Sequence, residues 1–144
     1  MNIRTYRRLA RGAVAAVTVA AAVVVALPGS ASATVDPDCS IRPGGPVVLY
    51  YDQEQSGAYI CLSDWIYSME GLRFSDSGSG AGTEVWHNAG SGWNLDTVYE
   101  ALIWSQPGYQ GDLFNLIPCC DEGSAPWSLG KVTNHNASLS WASY

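Results

Sequence analysis

Two stretches of this chain follow one template, and the residues that match between them are separated by a constant offset of 54 positions. In each copy an apolar residue precedes an aromatic residue, six residues follow, and a glycine then opens a short run that ends in leucine. The matching positions are Tyr50 and Gly57 in the first copy and Trp104 and Gly111 in the second. Repetition at this period indicates one supersecondary unit present twice. A β unit of this size buries its apolar face only against another unit, so the repeat predicts a two-part β fold.

The first 33 residues have the three-part pattern of a secretory signal peptide. A cationic head contains four arginines, an uncharged run of 15 residues spans positions 13–27, and Ala31-Ser32-Ala33 supplies small residues for cleavage. The alternative, a transmembrane anchor, needs about 20 apolar residues, which is longer than this run. We therefore expect residues 1–33 to be removed, and a secreted chain composed of an N-terminal segment, 34–46, and one domain, 47–144. The Arg7-Arg8 pair leaves the export route open.

The secreted part is strongly acidic. Only Arg42, Arg73 and Lys131 remain against all 13 acidic residues, which gives ten net negative charges. Such a domain is repelled by nucleic acid and by anionic membranes, so neither is an expected partner. We expect a soluble monomer.

All four cysteines, Cys39, Cys61, Cys119 and Cys120, lie in the secreted part. An even count in an exported chain indicates disulfides, and four cysteines allow three pairings. Because joining the neighbours Cys119 and Cys120 strains the peptide between them, we favour cross-links from Cys39 and Cys61 to that pair. The alternative Cys39–Cys61 bond would close a loop of about 23 residues and contribute roughly 3 kcal/mol. A metal–thiolate site is disfavoured because the spacing of a zinc motif is absent.

The rest of the chain is predicted to be almost entirely β. Alternating or apolar runs predict strands, two of them paired as a hairpin around each template glycine. One helical turn is predicted between positions 62 and 72, where Trp65, Met69 and Leu72 are three to four residues apart. The many Tyr and Trp rings are expected to fill the interior between two stacked four-stranded sheets. The predicted strands are 47–50, 58–62, 72–74, 84–86, 98–99, 101–104 and 113–116.

A polar motif follows each template copy: His87-Asn88-Ala89-Gly90-Ser91 after the first and Asn134-His135-Asn136-Ala137-Ser138 after the second. The aromatic–glycine element followed by this polar motif resembles the Greek-key pair of the βγ-crystallins. The amino-acid sequences of segments 72–77 and 134–141 resemble those of a narrower group, the secreted actinobacterial peptidase inhibitors of the Streptomyces metalloproteinase-inhibitor type. The resemblance covers about residues 47–141. It implies an all-β βγ-crystallin-like sandwich of two Greek keys, about 47–93 and 101–144.

The resemblance also implies structural roles for the motif residues. Gly57 and Gly111 would adopt the positive φ of a folded-over hairpin, which a β-carbon opposes. Tyr50 and Trp104 would cover the inner faces of their hairpins. The serine of each later motif, Ser91 or Ser138, would hydrogen-bond the backbone of that hairpin and lock the Greek key.

Calcium binding is a second implication of the resemblance. The candidate ligands are Asn88, Ser91, Asn134 and Ser138. Ca²⁺ prefers six to eight oxygen ligands, whereas each motif carries one histidine and lacks its final serine, so the oxygen count is short. We therefore expect no obligatory cofactor and at most weak Ca²⁺ binding. A transition-metal site on the two histidines lacks a third ligand at suitable spacing.

No catalytic constellation is present in the sequence: there is no nucleophile elbow, no zinc-protease motif and no phosphate loop. We therefore expect a secreted non-enzymatic binding protein, with an extracellular protease as its partner and inhibition of a metalloproteinase as its function. An inhibitor needs a rigid exposed segment held at its ends, because preorganisation limits the entropy lost on docking. The best candidate is the cysteine-fastened loop 118–127, and its central residues are Pro118, Cys119, Cys120, Asp121 and Glu122.

Two alternatives remain open. The first is an extracellular crystallin-like structural or stress module stabilised by weak Ca²⁺ binding. The second is a lectin-like domain that binds sugars or cell walls through exposed rings such as Trp86, Trp93 or Trp127. Fold alone does not choose among these functions, because function depends on particular sites.

Overall fold

The computed structural model describes residues 35–120 and 128–144. In these ranges the chain is all-β, as the sequence predicts. It also contains one short 3-10 helix, which was not predicted. The strands, in chain order, are β1 (Val47–Tyr50), β2 (Tyr59–Leu62), β3 (Ser91–Asn94), β4 (Tyr99–Gln106), β5 (Gln110–Leu116) and β6 (Ser138–Ser143), with the 3-10 helix at Gly130–Val132 before β6.

The six strands form two antiparallel sheets with the same order. The first sheet is β2-β1-β3 and the second is β5-β4-β6. In each sheet a hairpin supplies two strands, and the strand that follows the polar motif pairs on the other side of the first hairpin strand. The duplicated sequence therefore folds into a duplicated topology, which confirms the predicted two-part architecture.

The prediction of four-stranded sheets is wrong, because each sheet in the described ranges has three strands and no complete fourth strand. The segment after the first hairpin crosses to the second sheet, where Ile66 and Leu139 exchange two backbone hydrogen bonds of 2.8 and 2.9 Å. The segment after the second hairpin passes just beyond the end of β3, where the N–H of Cys119 donates to the carbonyl of Asp96 (2.6 Å). Pro118 has no N–H to extend that ladder.

The interior is aliphatic, so the prediction of an aromatic interior is wrong. Its largest fully buried side chains are leucine, isoleucine, valine and methionine, and Phe74 is the one fully buried ring in the described ranges. Strand alternation explains the difference, because successive side chains face opposite sides of a sheet. Leu49 and Ile103 point inward, and Tyr50 and Trp104, the next residues along their strands, are only half-buried.

Several local predictions also differ from the structure. Strands β3 and β6 were not predicted, because their serine, glycine and asparagine residues carry little strand propensity. The stretches at 72–74 and 84–86 form one isolated bridge, between Arg73 and Glu84, instead of strands. The helical turn at 62–72 is absent, since the buried Ile66 and Met69 bond β6 and its approach. The described ranges contain no helix with the length and apolarity of a membrane span.

The disulfides join Cys39 to Cys61 and Cys119 to Cys120, so the favoured cross-links between the repeats are wrong. Cys61 lies on β2, and the N-terminal segment runs beside that strand: the N–H of Asp36 donates to the Cys61 carbonyl at 2.9 Å. This course brings the Cα atoms of Cys39 and Cys61 to 5.8 Å, the usual disulfide separation. Residues 35–46 are therefore attached to the domain, as the Arg42–Asp36 ion pair (2.6 Å) also shows.

Candidate functional site

Each motif serine fastens the folded hairpin of its own half, as the sequence predicts. The Ser91 hydroxyl donates to the Asp52 carbonyl (2.7 Å) and accepts from the Gln55 N–H (2.9 Å). The fully buried Ser138 hydroxyl donates to the Gln106 carbonyl (2.7 Å) and accepts from the Tyr109 N–H (3.1 Å). Each hydroxyl therefore donates its proton to a backbone carbonyl and uses one lone pair to accept from a backbone N–H.

The template glycines permit this fold-back. Gly57 has φ +80° and Gly111 has φ +83°, a region that a β-carbon opposes. Space is also short, because a β-carbon at Gly57 would lie 2.7 Å from Asp52 Oδ2. A β-carbon at Gly111 would collide with the Ser105 hydroxyl. Each glycine thus allows its hairpin to make the tight reversal that the motif serine of the same half then fastens by hydrogen bonds.

The aromatic residue of the first template lies on the side of the sheet away from the shared core, which corrects its predicted place on the inner face of the hairpin. Tyr50 packs in a second apolar cluster with Trp93 and Val48. Burial raises the pKa of the Tyr50 phenol above its usual value, and the neighbouring phenol of Tyr59 raises it further. Tyr51 takes the inner position, edge-on to Phe74 with ring centroids 5.8 Å apart.

In the second template Trp104 is half-buried, and its indole N–H donates to the Ser140 hydroxyl (2.9 Å). The residue that corresponds to Tyr51 is Ser105, whose hydroxyl accepts from the Asp112 N–H (2.8 Å). The two hairpins therefore have the same backbone path, but at this template position only the first carries an aromatic ring, that of Tyr51.

The two polar motifs cross each other. His87 and Asn134, the first residues of the two motifs, both adopt left-handed backbone conformations, with φ of +59° and +55°. The N–H of His87 donates to the Asn136 carbonyl (2.8 Å), and the N–H of Asn134 donates to the Ala89 carbonyl (2.9 Å). The first residue of each motif is therefore bonded to the third residue of the other motif.

This crossing creates a first cleft, which we call the asparagine cleft. The two asparagines that line it are Asn88 from the first motif and Asn134 from the second, and the hairpin residues Asp52 and Gln53 line it with them. Amide N–H groups of Asn88 donate to two carbonyls (3.0 and 2.9 Å), and that of Gln53 donates to the Gly90 carbonyl (2.9 Å). The amide oxygens of both side chains are thus left as acceptors. The residues lining this cleft in the described ranges include no basic side chain.

The equivalent position in the other half is a second cleft, which we call the histidine cleft. It is lined by His135, Lys131 and Asp112 together with hairpin residues. His87 approaches it from the first motif, with its ring centroid 6.2 Å from that of His135. His135 thus lines this cleft with the histidine of the other motif beside it, whereas both asparagines line the asparagine cleft.

The asparagine cleft fits the ligand chemistry of Ca²⁺, and the histidine cleft does not. Ca²⁺ is a hard cation held by carboxylate, amide and carbonyl oxygens. Asp52, Gln53, Asn88 and Asn134 supply such oxygens. Lys131 brings an ammonium group to the other cleft, and imidazole nitrogen is a poor ligand for a hard cation. In the described ranges no three histidine, cysteine, aspartate or glutamate side chains gather as a metal site. Assignment of Asn88, Ser91, Asn134 and Ser138 as metal ligands stays a prediction.

The candidate inhibitory loop is described only at its start. Pro118 and Cys119 are buried, and the Cys119 N–H is bonded to the Asp96 carbonyl just after β3, so the entrance to the loop is fixed. Asp121 and Glu122, together with Trp127 of the lectin hypothesis, lie outside the described residues.

The rings that the lectin hypothesis selected are not the most exposed ones. Trp86 is half-buried against the main core, and Trp93 is half-buried in the second cluster. The most exposed tryptophan in the described ranges is Trp65, at 58 %, beside Tyr67 at 67 %. The alternation of Trp65, Ile66 and Tyr67 was the available signal, because period-two patterning places the two rings on one face and isoleucine on the other.

Comparison with solved structures identifies the fold. One structure, reported under "Evolution of the eye lens beta-gamma-crystallin domain fold", matches with a TM-score of 0.58 and 13% sequence identity. The match covers 78% of this chain and 99% of that one. The chain has the βγ-crystallin domain fold. The N-terminal domain of Protein S, with a TM-score of 0.51 and 17% identity, matches over 69% of this chain and 97% of its own.

No family model matches the sequence, and no curated protein matches it either. At these identities the likeness shows the βγ-crystallin fold alone. The fold fits a non-enzymatic binding or structural module.

Proposed function

We propose that the mature chain is a non-enzymatic extracellular module of the βγ-crystallin type that binds Ca²⁺ weakly at the asparagine cleft. The single observation that carries the proposal is the convergence of Asn88 and Asn134, one from each motif, beside Asp52. The extracellular location rests on the N-terminal signal pattern and on the Cys39–Cys61 disulfide, because such bonds persist in oxidising compartments.

Weak binding follows from the donor set. One carboxylate and three amides supply fewer side-chain oxygens than the six to eight ligands that Ca²⁺ takes, so water and backbone carbonyls would complete the shell. Sites with so few charged ligands belong among extracellular modules, whose dissociation constants are about 10⁻⁴–10⁻³ M. Because the two motifs cross at this cleft, a bound cation would hold both Greek keys to each other and stabilise the native state.

The proposal is tested by thermal unfolding of the mature protein with Ca²⁺ or with a chelator. At ten times the dissociation constant, a ligand of the native state adds about 1.4 kcal/mol to the free energy of unfolding. For a domain of this size that corresponds to a rise in Tm of roughly 5 °C. Because screening of the acidic surface by any divalent cation raises Tm, Mg²⁺ at equal concentration is the reference.

Two matched variants localise the effect. Asn134→Gly removes an amide oxygen from the asparagine cleft, and His87→Gly removes the equivalent side chain from the histidine side. Both positions have positive φ, so glycine fits both backbones. The calcium-specific rise should fall by at least half in Asn134→Gly and persist in His87→Gly. An equal rise in both variants would contradict calcium binding at the asparagine cleft.

Inhibition of a metalloproteinase is the second candidate function. The observation that favours it is the fixed entrance to the 118–127 loop: Cys119 is buried, bonded to Asp96 and joined to Cys120. Residues that are already fixed at the entrance need not be ordered on docking, which lowers the entropic cost of binding.

Titration of a thermolysin-like protease with the mature protein tests this candidate. Stoichiometric loss of protease activity is expected, and a variant with Asp121→Ala and Glu122→Ala should inhibit less. Asn134→Gly should inhibit as well as the parent protein, since the asparagine cleft is a separate site. Full protease activity at micromolar protein would exclude the inhibitor function and leave the calcium proposal intact.

A further inference from the structure

A row of three aromatic rings, two of them exposed and the middle one half-buried, is built from residues outside both clefts and outside the cysteine-fastened loop. Trp65 and Tyr67 flank Tyr109 edge-on, with ring centroids 5.6 and 6.0 Å from that of Tyr109. Trp65 is 58 % exposed and Tyr67 is 67 % exposed. We call these three rings the aromatic ridge.

The backbone below the ridge is fixed. Ile66 is buried and bonded in both directions to Leu139 of β6, so its neighbours Trp65 and Tyr67 emerge on the solvent side. The N–H of Gly108 donates to the Tyr67 carbonyl (2.8 Å), and a β-carbon at Gly108 would lie 3.1 Å from the Tyr67 ring. Rigid aromatic anchors of this kind lose little conformational entropy when a ligand binds.

Tyr109 occupies an unfavourable backbone conformation for its size. Its φ is +62°, where bulky side chains are outliers. The equivalent residue of the first hairpin, Gln55, has φ +54° and makes the same bond to its motif serine. The hairpin geometry therefore requires a left-handed residue there but not a tyrosine. Backbone strain at a half-buried ring that packs between two exposed rings points to a surface role.

A groove begins at the end of the ridge and shares Trp65 with it. Its volume is about 450 Å³, within the range of small-molecule sites. The aromatic residues Trp65, Tyr99 and Trp141 line it together with the oxygen-bearing residues Ser63, Asp64 and Ser143. The Trp141 indole N–H donates to the Asp64 carbonyl (3.4 Å), and the Asp64 carboxylate has no hydrogen-bond partner within the described ranges.

The side chains of the ridge and the groove indicate which class of ligand fits them. The exposed apolar groups are tryptophan and tyrosine, which offer flat faces with polar tips, and oxygen acceptors lie beside them. A sugar ring is complementary, because its C–H face packs on an aromatic face and its hydroxyls donate to carboxylate and hydroxyl oxygens. Ten net negative charges on residues 34–144 repel polyanions such as acidic polysaccharides.

We propose that the aromatic ridge and the adjoining groove form a binding site for a linear, neutral polysaccharide. Their rings follow one another along the surface and share Trp65, so successive sugar rings of one chain contact successive side chains. The site uses Asp64 as a hydroxyl acceptor and does not depend on a cation in the asparagine cleft.

The test is affinity electrophoresis of the mature protein in native gels that contain hydroxyethylcellulose, xyloglucan, soluble β-1,3-glucan or glycol chitin, with alginate as the anionic reference. At least one neutral polymer should retard the protein, and alginate should not. Trp65→Ala should weaken that retardation at least tenfold, as removal of a central aromatic anchor does. Tyr59→Ala is the control, because this ring is 45 % exposed but lies outside ridge and groove.

Tyr109→Asn separates binding from stability. Asparagine tolerates positive φ, so the variant should melt no lower than the parent protein while its retardation falls severalfold. The proposal is overturned if no neutral polymer retards the protein, or if alginate alone does. It is also overturned if Trp65→Ala and Tyr59→Ala reduce retardation equally, or if Trp65→Ala abolishes self-association instead of retardation.

Discussion

The asparagine cleft and the histidine cleft occupy equivalent places in the two halves and differ in chemistry. One combines Asn88 with Asn134, and the other combines His135 with the approaching His87. Lys131 adds a positive charge to the second cleft alone. A duplicated backbone therefore carries one cleft suited to a hard cation and one unsuited to it.

The difference arises from the crossing of the motifs. Each motif carries one histidine and one asparagine in its first two positions, in opposite order. Had each motif served its own cleft, both clefts would hold one histidine and one asparagine. Because the first position of one motif lies beside the second position of the other, His87 lies beside His135 of the histidine cleft, and Asn134 lines the asparagine cleft with Asn88.

The largest predicted effect concerns what the halves share. Ser91→Ala and Ser138→Ala each leave one backbone N–H and one carbonyl of a folded hairpin without a side-chain partner. Each substitution should lower the free energy of unfolding by about 2–3 kcal/mol, measured by denaturant unfolding. The corresponding control is Ser143→Ala, at an exposed position.

Similar losses for the two serines would show that the hairpin locks are equivalent even though the clefts are not. A loss confined to one serine would show that the halves differ in their scaffold as well.

Much of the backbone was predictable from sequence. The hairpins around Gly57 and Gly111 follow from local spacing, because a tight fold-back involves neighbouring residues. The roles of Ser91 and Ser138 were implied by the resemblance to the βγ-crystallin Greek keys, since each serine lies more than 30 residues from the carbonyl that it bonds. The strand that contains Ser138 was not predictable in this way, since its hydrogen bonds to β4 outweigh its low strand propensity.

The candidate site was less predictable than the fold. When the two motifs are considered separately, His87 and His135 weaken both predicted calcium sites equally. Only the crossing of the motifs in three dimensions places His87 beside His135 and leaves the two asparagines together in one cleft. The prediction of the disulfide pairing was wrong for a related reason. Attachment of the N-terminal segment to β2, which brings Cys39 to Cys61, is a contact between segments that carry no common motif.

The second prediction converts one cleft into the other. Lys131→Gln combined with His135→Asn replaces an ammonium group and an imidazole with amide oxygens in the histidine cleft. Titration calorimetry should then show a second weak Ca²⁺ site, with an additional stabilisation of about 1.4 kcal/mol at tenfold excess over its dissociation constant.

Adding Asn134→Gly to the converted protein should weaken the original site and retain the new one. If the converted protein binds no more Ca²⁺ than the parent, side-chain chemistry is not what distinguishes the two clefts, and differences in their backbone carbonyls must be responsible.

The smallest predicted effect compares the two template aromatics. Tyr50 has a raised pKa, chiefly through burial, whereas its counterpart Trp104 does not ionise. For an acid whose pKa is raised by folding, the native state keeps its proton where the unfolded state loses it. Stability is therefore unaffected well below pH 10 and declines as the pH rises beyond the ordinary tyrosine value of about 10. Tyr50→Phe should flatten this alkaline decline in unfolding experiments between pH 9 and 11, a range set by that value.

Trp104→Phe is the matched control at the equivalent position. It should lose stability at every pH, since the Ser140 hydroxyl loses its donor, and keep the alkaline slope of the parent protein. Two variants with the same slope would mean that the phenols of other tyrosines, and not the second cluster around Tyr50, govern the alkaline response. A flatter slope in Tyr50→Phe alone would locate a pH-dependent difference between the halves on the outer face of the first sheet.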